Sequence, residues 1–331
     1  MVETLRTGVI GCGLMGQNHV RNYVEIENTE LIAICDVNKK TADSIARKYK
    51  CKAYHDYKEM LDKEKLDLVS VAVPTFLHKK VGLEVLKRNI NMLLEKPISL
   101  SLEEADELIN ASKNSSSKVL VGHIERFNSA VIEAKNRKRK LGRLICISAK
   151  RIGPYASRIQ DTGVVIDLTT HDIDTSIFIA DSEVKELFGH CSSLIKKGRE
   201  DFFVGIMNLK NGVNVLLETN WITPTKIREL NIIGTKGMFK IDYINQDLYF
   251  YENAEIKELP TYQEVLKGVT DGIVIKYKVN KKEPLRNEIM HLVDCIIKDK
   301  KPSVTLEIGK RNLLIAKKFL ESSNTKKVIR F

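Results

Sequence analysis

The sequence predicts an α/β protein in two parts, a doubly wound parallel sheet followed by a strand-rich second half. Three observations predict it: short apolar runs alternate with helical patterns through residue 122, the first run ends in a glycine-rich turn that opens a helix, and after residue 143 the pattern becomes alternating strands parted by turn residues. Its 331 residues suit two domains better than one, and the expected division is 1–122 and 123–331. Apolar residues make up 43% and charged residues 29%, with no low-complexity tract, so a sizeable buried core is expected.

In chain order, the expected strands of the first part are TGVIG (7–11), ELIAICD (30–36), LVSVAV (68–73), NMLL (91–94) and KVLVG (118–122), with helices between them. One helix starts at SLEEADELI, where Ser101 and Glu104 have the spacing of a capping box. The second part reads RLICISAK, VKELFGHCSSLI, DFFVGIMNLKNGVNVLLETNWI, IRELNIIG, MFKIDYI and DLYFY, which predicts antiparallel pairing. Asn211 and Gly212 predict a hairpin with a type I′ turn, because that pair tolerates positive φ, and 235–237 predicts another. Helical patterns cover 163–180 and 284–299, and KRNLLIAKKFLESS closes the chain.

Several classes are excluded. No apolar run reaches the roughly 18 to 20 residues that span a bilayer, and MVETLRTGVIG enters a strand without a signal-peptide pattern, so a cytoplasmic protein without membrane contact is expected. Cys12, Cys35, Cys51, Cys146, Cys191 and Cys295 are scattered without a CxxC, which predicts neither a metal site nor disulfides. The net charge is +11, but basic residues mostly alternate with acidic ones. The dense run NRKRK (136–140) precedes Gly142 at an expected helix end, where cations suit the macrodipole. No nucleic-acid partner is expected, and the basic bias would attract an anionic small ligand such as a nucleotide or a phosphorylated sugar.

The segment GCGLMG places Gly11, Gly13, Leu14, Met15 and Gly16 just after the first strand and at the start of the first helix. In that context the glycines permit a tight turn and close approach of a pyrophosphate to the positive helix end. Asp36 ends the second strand, 20 residues past Gly16, where a carboxylate accepts from the adenosine ribose hydroxyls. A free 2′-hydroxyl suits it and a 2′-phosphate does not, so NAD is preferred to NADP. Lys39 and Lys40 nearby keep NADP open.

Two further clusters carry chemistry. LLEKPIS puts Glu95, Lys96 and Pro97 at the C-terminal end of a strand, where open α/β sheets bind ligands. In GVVIDLTTHDID, helical spacing puts Asp167, His171 and Asp174 on one stripe and Ile166, Ile173 and Ile177 on an apolar stripe beside it. Alone, each of these residues reads best as an exposed surface group.

With GCGLMGQNH and VPTFLH, these clusters resemble the glucose-fructose oxidoreductase, inositol dehydrogenase and MocA (Gfo/Idh/MocA) family over almost the whole chain. The resemblance implies a Rossmann domain followed by an α/β domain with a large open, mainly antiparallel sheet. It implies a catalytic constellation of Lys96, Asp167 and His171, with Pro74, Thr75, His78, Glu95 and Lys96 along the dinucleotide. Chemistry agrees, because removing a hydride from a carbinol carbon needs an acceptor for the hydroxyl proton. Histidine, with an unperturbed pKa of about 6.5, suits that task, so His171 is the expected base. Lys96 would stabilise alkoxide character, and Asp167 would orient the imidazole or the substrate.

GHIERFNSAV, KRIGPYASR and ETNWITPTKIREL are similar to family members that act on nucleotide-linked amino sugars, especially those that oxidise UDP-N-acetylglucosamine to its 3-keto form. Ser129 stands where such relatives commonly have proline. By analogy, Arg126, Lys150, Arg151 and Arg158 are candidates for a diphosphate, and Asp167 and His171 for the sugar. Trp221 and Lys226 fit the sheet surface as well as a substrate role. The alternatives are a dehydrogenase of a free cyclic polyol such as an inositol and a dinucleotide-sensing regulator, against which the retention of Lys96 and His171 argues. A broad open sheet face needs covering, so a homodimer or homotetramer is expected.

Overall fold

The computed structural model describes residues 4–155, 162–195, 198–253 and 271–331. They form two compact units, one of residues 1–124 and 283–314, the other of residues 125–282 and 315–331. No helix among the described residues is long and apolar enough to cross a membrane.

The first unit is built on a six-stranded parallel sheet: β1 (Leu5–Ile10), β2 (Thr29–Cys35), β3 (Lys52–Tyr54), β4 (Leu68–Val71), β5 (Asn91–Glu95) and β6 (Val119–Gly122). Its order, β3-β2-β1-β4-β5-β6, reverses direction between β1 and β4, the switch point at which such sheets bind dinucleotides. The strands are apolar nearly throughout because helices cover both faces. These helices are α1 (Leu14–Glu25), α2 (Lys39–Tyr49), α3 (Tyr57–Lys63), α4 (His78–Lys87) and α5 (Leu102–Lys113). The expected cap of α5 forms: the Ser101 hydroxyl accepts from the Glu104 amide at 3.2 Å, while the Glu104 carboxylate accepts from Leu100 N–H at 3.1 Å. Strand β3 lacks an apolar run, and the sequence reading does not include it.

Residues 283–314 belong to this unit, which corrects the simple division at residue 122. They carry α8 (Pro284–Ile297) and the first turns of α9 (Leu306–Thr325). Leu285, Ile289, Leu292 and Val293 are buried, and Glu283 just before α8 accepts from Arg21 at 2.6 Å and from Asn22 at 3.1 Å on α1. Helix α9 reaches the sheet because Gly309 has no side chain: a Cβ there would press on Val121 and Ile98 at 3.1–3.3 Å.

The second unit is a nine-stranded sheet. Its strands are β7 (Leu144–Pro154), β8 (Val184–Ser192), β9 (Phe202–Leu209), β10 (Asn214–Asn220), β11 (Ile222–Gly234), β12 (Gly237–Asp242), β13 (Asp247–Asn253), β14 (Asp271–Tyr277) and β15 (Ile329–Arg330). Every described pairing is antiparallel except β7 with β10. One face carries the core: Ile147, Val215, Leu217, Leu230, Ile232, Phe239 and Phe203 pack on α6 (Ser129–Arg137), α7 (Thr170–Ala180) and the last turns of α9. Phe319 of α9 stacks edge-on against Phe203 with centroids 5.0 Å apart. Gly205 makes room, since a Cβ there would meet the two rings at 2.5 and 2.9 Å. The other face is open, and Phe188, Ile206 and Leu216 lie in register across β8, β9 and β10 with large exposed areas.

Two local expectations change. The hairpin between β9 and β10 forms, but only Gly212 has positive φ, at 84°, and Leu209 N–H bonds to Val213 O at 2.9 Å. This is a three-residue loop, a turn closed by a left-handed glycine, rather than type I′. Of the basic run, Lys138 reaches another helix: together with Lys135 it pairs with Asp181 and donates toward the last carbonyls of α7. The macrodipole these cations serve is that of α7.

Candidate active site

In the first unit, the residues expected to hold a dinucleotide gather along the C-terminal edge of the parallel sheet. Gly11 leaves β1 with φ 90°, and a Cβ there would strike the Ala72–Val73 peptide group at 2.5–2.9 Å. A Cβ on Gly16 would overlap the Gly11 carbonyl, so the turn closes only with glycine at both places. Gly13 is different: a Cβ there would meet nothing within 4 Å. Its open side adjoins the start of α1, which no side chain caps, leaving first-turn N–H groups of Leu14, Met15 and Gly16 for an anion.

Asp36 follows β2 and is fixed by the same loop. Its carboxylate accepts from the Cys12 amide at 2.7 Å and from the Asn38 amide at 2.8 Å. Both bonds orient the oxygens while leaving lone pairs for ribose hydroxyls. Burial and the neighbouring Asp36 charge push the Cys12 thiol up to about 12, so this cysteine packs as an inert side chain. Lys39 and Lys40 are exposed at the start of α2.

Pro74 is exposed at the end of β4, Thr75 is buried, and His78 opens α4 with only 1% of its surface accessible. Both ring nitrogens of His78 approach main-chain oxygens, Nδ1 to Pro97 O at 2.7 Å and Nε2 to Val73 O at 2.9 Å. At the end of β5, Glu95 is buried and Lys96 half-buried, and the Lys96–Pro97 peptide is cis. Glu95 Oε1 receives His19 Nε2 at 2.9 Å, and Glu95 Oε2 accepts from the Lys96 amide at 3.2 Å. Behind it, His19 Nδ1 meets Ser70 Oγ at 3.0 Å, and Ser70 meets the Tyr23 hydroxyl at 2.7 Å. The chain runs from the Tyr23 hydroxyl through Ser70 and His19 to the Glu95 carboxylate, which accepts from the His19 ring. Burial works to raise the Glu95 carboxyl, but the hydrogen bond and electrostatic influence of His19, with smaller contributions from Lys96 and His78, outweigh it and hold it below the usual carboxylate range.

In the second unit, Asp167 and His171 lie on consecutive turns of one helical segment. It opens with a π-helical turn, Val165–Thr169, that continues into α7. Glu200 fastens its start: its carbonyl accepts from Val164 N–H at 2.9 Å and its carboxylate from Val165 N–H at 3.3 Å. Thr169 donates to Thr219 on β10 at 3.1 Å. A π turn rotates less per residue than an α turn, so the expected straight stripe bends. Asp167 is half-buried, His171 is 8% exposed, and Asp174 is fully enclosed.

Two of the three arginines expected to meet a diphosphate are paired with carboxylates. Arg126 forms a fork with Asp174 at 2.6 and 2.7 Å, and Arg151 forms one with Asp172 at 2.8 and 2.9 Å while also reaching Glu125 at 3.0 Å. Both are buried. Burial opposes the charge on Arg151, but Asp172 and Glu125 more than offset it and hold the guanidinium well above its ordinary value. These bonds turn one edge of each guanidinium to α7. Lys150 alternates to the open sheet face, where it pairs with Glu218 at 3.1 Å. Trp221 belongs to the core, edge-on to Tyr155 at 6.0 Å, whereas Lys226 is exposed. Arg158 lies outside the described residues.

Sequence reasoning did not single out His19, Ser70, Asp172 or Arg228. His19 closes the GCGLMGQNH motif and was legible there. Arg228 on β11 donates to the Ile152 and Ile227 carbonyls at 2.5 and 2.9 Å, and burial together with the Arg151 charge lowers it to about 10. Val37 and Phe76, large exposed apolar side chains next to Asp36 and Thr75, had no periodic signal.

Comparison with known proteins agrees with this geometry. The NAD-binding Rossmann domain of the Gfo/Idh/MocA oxidoreductases matches residues 5–123, and their C-terminal domain matches residues 135–240. A UDP-N-acetylglucosamine 3-dehydrogenase from Acidithiobacillus ferrooxidans is 28% identical over 250 residues, covering 76% of this chain and 78% of that protein. A myo-inositol 2-dehydrogenase from Thermotoga maritima is 26% identical over 300 residues, covering 81% of this chain and 89% of that one. The solved structure of the Acidithiobacillus ferrooxidans enzyme superimposes with a TM-score of 0.87 at 24% identity, over 97% of this chain and 98% of that one, and shares the fold. With a glycine cradle shaped for NAD in one unit and family domains matching more than half of its length, the chain belongs to the Gfo/Idh/MocA family of oxidoreductases.

Proposed function

We propose that the protein is an NAD-dependent dehydrogenase that oxidises the 3-hydroxyl of UDP-N-acetylglucosamine to a ketone. The observation that carries the substrate is the similarity to a UDP-N-acetylglucosamine 3-dehydrogenase along three-quarters of the chain. The cofactor assignment rests on the open Gly13 cradle and on Asp36, whose held carboxylate suits a free ribose 2′-hydroxyl.

Bound along Gly11–Gly16, Asp36, Pro74 and Thr75, the dinucleotide supplies the hydride acceptor. The chain supplies the rest. His171 takes the hydroxyl proton on an imidazole nitrogen, and Asp167, one turn earlier, orients ring or substrate. Lys96 donates to a substrate oxygen and stabilises the negative charge that develops there. Arg126 and Arg151 are turned to α7 by their carboxylate forks, so the diphosphate is assigned first to Arg158. The protein self-associates as a homodimer or homotetramer through the Phe188, Ile206 and Leu216 stripe, which light scattering checks.

The test offers NAD with UDP-N-acetylglucosamine, free N-acetylglucosamine or myo-inositol, traps any ketone and identifies it by mass. The UDP-sugar should react and the others poorly, because binding energy from the remote nucleotide orients the ring. Oxidation of myo-inositol without reaction of the UDP-sugar would favour the second reading, a polyol dehydrogenase, which the Thermotoga maritima relative supports.

A further inference from the structure

Three arginines of the second unit are withdrawn from solvent, and two of them show how this protein occupies a guanidinium. Arg126 turns Nε and Nη2, the edge that fits two oxygens at once, onto Asp174, and Arg151 turns the same edge onto Asp172. Arg228 is held by its other nitrogen. Its Nη1 donates to Ile152 O at 2.5 Å and to Ile227 O at 2.9 Å, which uses both hydrogens of that nitrogen. The remaining N–H groups, on Nε and Nη2, meet no acceptor among the described residues. The edge that grips a carboxylate in the other two arginines is therefore open in this one.

The strand explains where this edge lies. Leu230 and Ile232 of β11 enter the core, so alternation puts Arg228 on the same helix-covered face. Its register partner on β7 is Arg151, which reaches Asp172 of α7 from that face. The pairing of β11 with β7 shifts between Ile222 and Ile227, and Arg228 bonds to the carbonyls of the pair that ends the shift, Ile227 and Ile152. Breaks of this kind re-aim side chains and gather beside active sites. The Asp167 charge reaches Arg228, which puts the guanidinium in the neighbourhood of the segment that carries Asp167 and His171.

We propose that Arg228 binds the anionic part of the substrate, with Nε and Nη2 taking two oxygens of a phosphate on a phosphorylated sugar. A sugar nucleotide brings a diphosphate and a sugar monophosphate brings one phosphate, and either offers two oxygens to one guanidinium edge. Burial and the Arg151 charge both work against the cation, while Asp172, Glu125 and Asp167 support it from a distance. Asp172 and Glu125 are already paired with Arg151. A half-buried guanidinium held only by carbonyls is costly, and an arriving phosphate offsets that cost. The Asp167 charge opposes an anion close to it, which favours a substrate whose phosphate is separated from the reacting hydroxyl, as in both classes.

This inference rests on the sugar dehydrogenase reading, and not on which phosphorylated sugar is oxidised. Calorimetry in the presence of NADH, which cannot accept a hydride, measures the binding of UDP-N-acetylglucosamine and of glucose 6-phosphate to the wild type, Arg228→Gln and Arg228→Lys. Arg228→Gln should weaken whichever phosphorylated sugar binds by roughly 10- to 100-fold, the size of a lost charge-assisted pair of bonds, with NADH affinity kept within a few-fold. Arg228→Lys keeps the charge but not the fork and should recover only part of the loss, and it replaces the glutamine variant as the test if that one does not fold. Wild-type affinity in Arg228→Gln, or full affinity in Arg228→Lys, overturns the inference, as does a wild type that binds neither phosphorylated sugar. Binding of glucose 6-phosphate that depends on Arg228, without binding of the UDP-sugar, would uphold the inference and remove the proposed substrate. Binding of the UDP-sugar that ignores Arg228 would do the reverse.

Discussion

The two units bury polar groups in opposite ways. In the first, Tyr23, Ser70, His19 and Glu95 form a chain of single hydrogen bonds with one carboxylate at its end, next to Lys96. In the second, α7 is clamped by two complete ion pairs, Arg126 with Asp174 and Arg151 with Asp172. The difference lies in what each failure leaves behind. Breaking the chain at Ser70 strands neutral groups, at about 1–3 kcal/mol, whereas breaking an ion pair strands a buried charge, at about 3–5 kcal/mol. Helix α7 also carries His171 and is rich in polar residues on its buried side, Thr170, Asp172, Thr175 and Ser176 among them. Charged forks fix which way such a helix faces, because apolar packing alone would not.

The largest effect is therefore expected in the second unit. Asp172→Asn should cost about 3–5 kcal/mol of stability, since the buried Arg151 then keeps, among the described residues, Glu125 as its one ion-pair partner. Urea denaturation checks it. Replacing Arg151 and Asp172 together by apolar residues of similar volume should recover much of the loss. A loss below about 1 kcal/mol in Asp172→Asn would mean that the fork is not what holds α7.

Lys96→Ala and His171→Ala should each lower turnover by roughly 10²- to 10⁴-fold with NAD binding nearly intact, the size expected for a lost alkoxide-stabilising or acid–base group. Steady-state rates beside calorimetric NAD titrations separate the two quantities. Near wild-type turnover in either variant would remove that residue from its proposed role.

A smaller loss, about 1–3 kcal/mol, is expected for Ser70→Ala, which leaves the Tyr23 hydroxyl and His19 Nδ1 without their shared partner in the dry sheet. The same denaturation series measures it. A loss as large as that of Asp172→Asn would show that the chain carries charge along its length, and the contrast between the units would fail.

These polar networks also mark the limit of what the sequence discloses. Strand and helix periods are local, so the parallel sheet, the strand-rich half and the capping box at Ser101 and Glu104 could be read directly. Motif spacing brings Gly11, Gly13, Gly16 and Asp36 to one loop, and the structure has them there because that loop is a contiguous turn followed by the next strand. What stayed hidden depends on partners far along the chain. Arg126 and Arg151 look like free cations until Asp174 and Asp172, 48 and 21 residues away, fold against them. Residues 283–314 join the first unit for the same reason, through Glu283 and Arg21, 262 residues apart. Strand β3 has three residues and no buried one, so no apolar pattern announces it.

The smallest effect concerns the loop that the sequence disclosed best. Asp36 is proposed to favour NAD because its fixed carboxylate accepts from a 2′-hydroxyl and repels a 2′-phosphate. Removing it should weaken NAD and relieve that repulsion, so Asp36→Ala should narrow the preference for NAD over NADP by roughly tenfold, equal to about 1.4 kcal/mol. The exposed Lys39 and Lys40 limit the wild-type preference, since each can approach the extra phosphate. Reversing both charges, as Lys39→Glu with Lys40→Glu, should therefore widen it. Paired calorimetric titrations of NAD and NADP on the three proteins give the comparison, with Asp36→Ala also losing the acceptor of the Cys12 and Asn38 amides. Loss of affinity for both dinucleotides in equal measure would mean that Asp36 shapes the glycine loop without reading the ribose. Tighter NADP than NAD in the wild type would remove the carboxylate argument altogether.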